Sequence, residues 1–237
     1  MSDRTYCYPD TDVLKNKIGT RDKNVLFGAE CDYSMTRLWQ LMEHPVKGHF
    51  DFGHLKAIHK HVFQDLYDWA GQSRTVDIGK GNLFCMSTYI DSYAQDVFRD
   101  FSRECHEKAG DQEAFTHAVA EKYGDLNALH PFREGNGRTQ REFVRELCLD
   151  CGYLFDLSGT SHQEMLDASK ESFDTGRCDK LEAIFKNAIK PVPADLPKYE
   201  KLPILSDDDI ELANRQLGRH VDMPFGIDLE KEESYEL

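Results

Sequence analysis

The fold is decided by the stretch His130-Pro131-Phe132-Arg133-Glu134-Gly135-Asn136-Gly137-Arg138-Thr139-Gln140-Arg141, which separates two strongly helical patterns. Pro131 ends the first helix, because it has no N–H and disfavours a helical residue before it. Gly135 and Gly137 permit a positive φ, so the loop can approach a bound group closely. The second helix is expected to begin near Asn136. The stretch therefore predicts a helix–loop–helix unit with a loop shaped for binding.

The residue types in this loop point to phosphate chemistry. A helix N-terminus preceded by glycines attracts anions, and Arg138 and Arg141 add two positive charges on one helix face. Glu134 supplies a hard oxygen of the kind that holds Mg²⁺ against phosphates. His130 can accept a proton near neutral pH. Alone, this histidine would be interpreted as a helix C-terminal residue, but its neighbours favour a general base.

The same stretch resembles the signature of the Fic family, His-Pro-Phe-x-Asp/Glu-Gly-Asn-Gly-Arg-x-x-Arg, and meets every defined position. Tyr8–Lys17, Asp65–Gly71 and Arg74–Ile78 are also similar to family sequences, so the resemblance covers roughly residues 5–190. It implies a mainly α, Fic-type helical bundle with one β-hairpin flap beside the active-site loop. We expect a Fic domain over residues 1–190, including an N-terminal segment 1–32.

The resemblance implies transfer of AMP from ATP to a Tyr, Ser or Thr hydroxyl of a target protein. His130 would be the general base and Glu134 would hold Mg²⁺. The nucleotide-binding residues implied are Lys80, Gly81 and Asn82 at the flap tip and Gly135, Asn136, Gly137, Arg138 and Arg141 in the loop. The alternatives are transfer of another phosphate-containing group, such as UMP, phosphocholine or phosphate, and a non-catalytic protein-binding module.

Residues 74–86 predict the flap. Thr75 to Ile78 alternate as a strand does, Gly79 to Asn82 have turn chemistry, and Leu83 to Cys85 could form the returning strand. One interpretation is a surface ornament of a helical domain. The family resemblance favours a flap whose edge pairs with an extended segment of the target protein.

Helical periodicity accounts for most of the remaining chain. Residues 1–30 have a loop-rich pattern, and Ser87 and Asp111 are predicted to be helix N-caps. The helical patterns cover residues 33–42, 50–69, 87–105, 111–130, 136–151, 160–174 and 178–189.

Composition limits the possible partners and the location. The net charge of −14 disfavours direct binding to nucleic acid, and no apolar run is long enough for a membrane span. Residues 191–237 carry twelve acidic and five basic side chains, half of that net charge, and predict a partly ordered, Pro-containing tail. A partner-docking or export signal is the alternative for this tail. We expect a cytoplasmic protein that could also be exported into another cell as an effector.

Two further clusters favour ordinary packing. Cys148 and Cys151 have CxxC spacing but lie in a buried helical stripe, so core cysteines are favoured over a zinc or redox site. His54, His59 and His61 favour helix packing and surface positions over a metal site.

Regulation is inferred from an absent motif. Many family members carry an inhibitory helix, Ser/Thr-x-x-x-Glu-Gly/Asn, whose glutamate pairs with the second arginine. Thr160–Glu164 comes nearest, but Met165 stands where Gly or Asn is expected. The resemblance therefore implies a separate small antitoxin that supplies a glutamate to Arg141, or an unrestrained secreted effector.

Overall fold

Eight α-helices and two small antiparallel sheets make up the part of the chain that the structure describes, residues 4–80 and 82–193. The structure is a computed structural model. The helices are α1 Lys23–Glu43, α2 Phe52–Phe63, α3 Ile90–Phe98, α4 Phe101–Lys108, α5 Gln112–Leu129, α6 Asn136–Asp150, α7 His162–Thr175 and α8 Asp179–Ala188. The strands are β1 Gly79–Lys80, β2 Asn82–Leu83, β3 Tyr153–Phe155 and β4 Ile189–Pro191.

Helix α5 lies at the centre of the core. Asp111 caps it as predicted, since its carboxylate accepts hydrogen bonds from the backbone N–H groups of Glu113 and Ala114. Phe115, Leu126 and other apolar residues on α5 are fully buried, and each contributes about 1.5–3 kcal/mol. The helix packs against α3, α4, α6, α7 and α8. Because α5 ends at Leu129 and α6 begins at Asn136, this core fixes both sides of the loop between them.

The predicted mainly α bundle with a flap is confirmed, but four local predictions were wrong. Helix α1 begins at Lys23, ten residues before the predicted start, because Asp22 caps it through the N–H groups of Asn24 and Val25. Ser87 is not an N-cap of a long helix. It opens a 3₁₀ turn, Ser87–Tyr89, and its N–H donates to the Asp77 carboxylate.

The helix predicted over 87–105 is divided into α3 and α4. The flap strands are only two residues long each, so residues 75–78 lie before β1, and the Ile78 carbonyl accepts from the Phe84 N–H at the base of the hairpin. A second sheet, β3 with β4, was not predicted, and its Phe155 and Ile189 are buried.

Several other expectations concern positions outside the site. Cys148 is fully buried and Cys151 half-buried, as expected of core cysteines. His54 and His59 are both buried. None of the described helices is long and apolar enough to cross a membrane. The predicted acidic tail lies outside the described residues from position 194 onward.

Candidate active site

His130 caps the C-terminus of α5 in a left-handed conformation, with φ 40° and ψ 60°. This conformation costs a residue with a side chain about 1–2 kcal/mol, so other contacts must hold it. The His130 N–H donates to the Leu126 carbonyl at 3.1 Å. The His130 carbonyl accepts from Arg74 Nε at 2.9 Å, and the Pro131 carbonyl accepts from the Arg74 N–H at 2.8 Å. Arg74 therefore fixes the strained turn from the flap side.

Two contacts orient the His130 ring. Its Nδ1 lies 3.2 Å from the Asn127 carbonyl oxygen, which can only accept, so Nδ1 carries the proton. The lone pair of the neutral ring is then on Nε2, as a general base requires. The Phe84 ring stacks on the imidazole with the two centroids 3.7 Å apart and the planes 9° from parallel.

Asn136 shapes the loop through its side chain. Its Oδ1 accepts from the Phe132 N–H at 2.9 Å, and its Nδ2 donates to the Phe132 carbonyl at 2.8 Å. Phe132 is fully buried and stacks on His59 with centroids 3.8 Å apart. The side-chain amide of Asn136 is used in these bonds, while its backbone N–H is one of the first N–H groups of α6, which have no acceptor within the helix.

His59 supports the middle of the loop. Its Nε2 donates to the Glu134 carbonyl at 3.0 Å, and its Nδ1 accepts from the Gly71 N–H at 2.8 Å. Burial lowers the pKa of His59 to about 3, against the hydrogen bond to the Glu134 carbonyl and with a smaller lowering by Arg138. His59 is therefore neutral at physiological pH. The sequence indicated only a packing residue here.

Glu134 has a carboxylate suited to a magnesium–nucleotide complex. The side chain is 37% exposed, and its Oε1 accepts from the Gly135 N–H at 2.7 Å and lies 3.5 Å from Arg138 Nη2. In the described ranges, no three His, Cys, Asp or Glu side chains are grouped to hold a metal. An ion at Glu134 would therefore take its other ligands from phosphates and water, which is the usual coordination of Mg²⁺.

Glycine is required at the start of α6. Gly135 has φ 78°, and a Cβ there would lie 2.2 Å from Phe63 Cζ. A Cβ on Gly137 would lie 3.1 Å from Arg141 Nη1, so the guanidinium of Arg141 is beside the first turn of the helix. The first N–H groups of α6 have no acceptor within the helix and carry its partial positive charge. An anion placed there meets these N–H groups and a guanidinium together.

Arg138 is buried within a network of polar groups. Its Nη2 donates to Glu30 Oε1 and its Nη1 to Ser34 Oγ at 3.2 Å, while the guanidinium lies 4.9 Å from the centroid of the Phe63 ring. The other oxygen of Glu30 accepts from the Tyr67 hydroxyl. Arg138, the residue expected to bind phosphate, is thus already paired with the carboxylate of Glu30. The sequence did not indicate Glu30, because the segment before residue 33 was predicted to be loop.

Arg141 has a different environment. Its Nε is buried and has no hydrogen-bond partner, and its guanidinium interacts with the Tyr123 hydroxyl. Burial raises the pKa of Tyr123, and Arg141 opposes that rise. Within the part of the chain that the structure describes, no Asp or Glu forms an ion pair with Arg141.

The flap is attached close to His130. The Cys85 N–H donates to the Ala128 carbonyl at 3.1 Å, and the Cys85 carbonyl accepts from Arg74 Nη2. Lys80 pairs with Asn82 across the hairpin ladder, and Gly81 between them lies outside the described residues. The roles expected for these three residues at the flap tip stay predictions.

This geometry defines a class of protein, a helical domain in which a short loop joins a histidine at the end of one helix to the glycine-capped start of the next. The chain belongs to the Fic/DOC family, whose sequence profile matches residues 49–148. The resemblance inferred from the loop is thereby confirmed.

Three known proteins illustrate the similarity. The chain is 40% identical over 186 residues to the protein adenylyltransferase VbhT of Bartonella schoenbuchensis, covering 78% of this chain and 39% of that protein. It is 39% identical over 169 residues to the "probable protein adenylyltransferase y4lH" of Sinorhizobium fredii, covering 70% of this chain and 86% of the relative. The N-terminal Fic domain of a VirB-translocated Bep effector from Bartonella quintana, solved with bound ADP, superposes with a TM-score of 0.75 at 25% identity, covering 81% and 97% of the two chains.

Proposed function

We propose that this protein transfers AMP from ATP to a hydroxyl side chain of a target protein. The observation that carries this proposal is the His130 ring, whose Nδ1 proton faces a carbonyl and whose Nε2 bears the lone pair, in the short loop that leads into the glycine-capped start of α6. Relatives named protein adenylyltransferases and a related Fic domain with bound ADP support the choice of an adenine nucleotide.

The chemistry is a displacement at the α-phosphorus. The target hydroxyl oxygen forms a bond to that phosphorus, the bond to the bridging oxygen of the β-phosphate breaks, and pyrophosphate leaves. His130 Nε2 takes the hydroxyl proton. Backbone N–H groups of Asn136 and Gly137 stabilise the charge that develops on the phosphate oxygens.

Charged side chains would place the triphosphate. Glu134 would hold Mg²⁺, which neutralises charge on the leaving pyrophosphate when bound. Arg138 and Arg141 would bind the β- and γ-phosphates, with the buried Nε of Arg141 supporting this role. A phosphate bound at Arg138 would either share the guanidinium with the Glu30 carboxylate or displace that carboxylate.

A small antitoxin that supplies a carboxylate to Arg141 is a further part of the proposal. A buried guanidinium nitrogen without a hydrogen-bond partner supports it, because such a cation is costly to leave unpaired. The target protein is proposed to dock along the flap, residues 74–86. The site of action is proposed to be a cytoplasm, either of the producing cell or, by analogy with the VirB-translocated relative, of a cell that receives the protein.

The test uses ATP labelled at the α- or γ-phosphate with a lysate and the purified protein. AMP transfer places α-label, and not γ-label, on protein bands. His130→Ala is expected to lower the rate by ~10²–10⁴ while nucleotide affinity is retained. Transfer of γ-label would indicate phosphate transfer instead, and full activity of His130→Ala would refute the base assignment.

A further inference from the structure

Phe84 lies where the flap meets the end of α5. Its N–H donates to the Ile78 carbonyl at 3.1 Å, which closes the base of the hairpin. Its half-buried ring stacks on His130 at 3.7 Å and contacts the Phe173 ring of α7, with centroids 5.1 Å apart. The aromatic contacts thus link α7, the flap and His130 in series.

The stack supplies a restraint that the Nδ1 hydrogen bond alone does not. That bond, to the Asn127 carbonyl, is 3.2 Å long, at the weak end of the normal range, and a bond at one ring atom does not by itself fix the plane of the ring. A parallel neighbour at 3.7 Å limits that tilt through many small dispersion contacts. Phe84 covers a face of the imidazole and not its edge, so the stack itself does not cover Nε2.

Arg74 makes this arrangement stiff at the backbone. One guanidinium donates to the carbonyls of Val76, Cys85 and His130, so both legs of the flap and the catalytic turn are joined by a single group. Arg74 is only 1% exposed. The position of Phe84 relative to His130 is therefore set by the fold and not by chance contact.

We propose that Phe84 is a positioning residue for His130, holding the imidazole by face-to-face stacking so that Nε2 points toward the reacting hydroxyl. This inference rests on the proposed function, in which His130 is the base. It assigns the flap a second role beside docking of the target.

The first measurement is steady-state AMP transfer by Phe84→Leu and Phe84→Tyr. Phe84→Leu keeps an apolar side chain but loses the stack, and we expect kcat to fall about tenfold with KM for ATP within about twofold, since small misplacements of reacting groups cost up to 10²-fold. Phe84→Tyr, which keeps an aromatic ring, is expected to retain most of the wild-type kcat. Phe52→Leu is the matched control, since Phe52 is also half-buried and stacked, on Phe98 at 5.8 Å, away from the loop.

The second measurement does not depend on catalysis. In proton NMR spectra the ring protons of His130, assigned by their loss in His130→Ala, are shifted upfield by the Phe84 ring. They are expected to move downfield in Phe84→Leu, to stay in place in Phe84→Tyr, and to move part of the way in Phe173→Leu.

The outcomes separate the two proposals. A wild-type protein that transfers no AMP refutes the proposed function, while a His130 shift in Phe84→Leu still supports positioning by the stack. An unchanged His130 signal in Phe84→Leu overturns the inference. So does a Phe84→Leu enzyme with wild-type kcat, or a Phe84→Tyr enzyme as slow as Phe84→Leu.

Discussion

The loop between α5 and α6 is held by different contacts at its two ends, at His130 and at Arg138. At the His130 end, the carbonyls of His130 and Pro131 accept from Arg74, and an aromatic ring covers the imidazole. At the Arg138 end, the guanidinium is paired with Glu30, and its Nη2 lies 3.5 Å from Glu134.

The difference follows from what each end must do. In the proposed function His130 is the general base, which needs a fixed direction, and the bonds from Arg74 together with the aromatic stack would supply it. A phosphate site needs positive charge, which is expensive to bury without an anion. Glu30 compensates Arg138, and in the proposed function a phosphate would displace this carboxylate or share the guanidinium with it. On this proposal the first end is organised in advance and the second exchanges one anion for another.

Arg74→Met is expected to give the largest effect and tests the His130 end. Three carbonyls lose a donor in this variant, and each such loss costs about 1–3 kcal/mol, so the free energy of unfolding should fall by about 3 kcal/mol or more. Chemical denaturation measures it. Arg99→Met is the control, because Arg99 is 69% exposed and its pair with Asp96 contributes at most about 1 kcal/mol. Equal costs for the two variants would show that the Arg74 contacts do not hold the turn.

Gly135→Ala tests the backbone conformation at the N-cap of α6, the helix that carries Arg138. The positive φ costs about 1–2 kcal/mol and the overlap with Phe63 adds about 1–3 kcal/mol, so unfolding free energy should fall by at least about 2 kcal/mol. Gly28→Ala is the matched control inside α1, where a Cβ meets nothing within 4 Å. It should stabilise the protein by about 0.5–1 kcal/mol. Changes of the same sign in both variants would contradict the backbone argument.

Glu30→Gln tests whether an anion is exchanged at Arg138. The amide keeps the shape but weakens the bonds to Arg138 and Tyr67, so unfolding free energy should fall by about 1–2 kcal/mol. Calorimetric titration should show tighter binding of Mg–ATP, because the competing carboxylate is gone. Glu43→Gln, exposed at the end of the same helix, should change neither quantity. Weaker nucleotide binding by Glu30→Gln would mean that Glu30 supports the site and does not compete for it.

The sequence predicted the parts of the site that are close together in the chain. The loop and its two helices were visible because Pro131, Gly135 and the apolar stripes act locally. Glu30 was missed because its partner Arg138 is 108 residues away, and Arg74 and His59 act on carbonyls 56 and 75 residues away. Spacing along a chain cannot show such pairs, since tertiary packing creates them. The flap strands were predicted too long because alternation of residues 75–78 does not require pairing.

The pH dependence of stability gives the smallest effect and tests the neutrality of His59. The pKa of this residue is about 3 in the folded protein and near 6.5 in the unfolded chain, so between these values the unfolded chain binds more protons. The contribution of His59 is therefore complete above pH 6.5 and is lost as the pH falls toward 3. Relative to His59→Gln, whose amide can donate and accept in the same places, the wild type should lose about 1.4 kcal/mol per pH unit below pH 6. Denaturation series at pH 7, 6 and 5 measure the difference between the two proteins, which removes the titration of the other histidines. Parallel curves would show that His59 has the same pKa in the folded and unfolded states. The interpretation of His59 as a neutral donor to the Glu134 carbonyl at low pH would then be wrong.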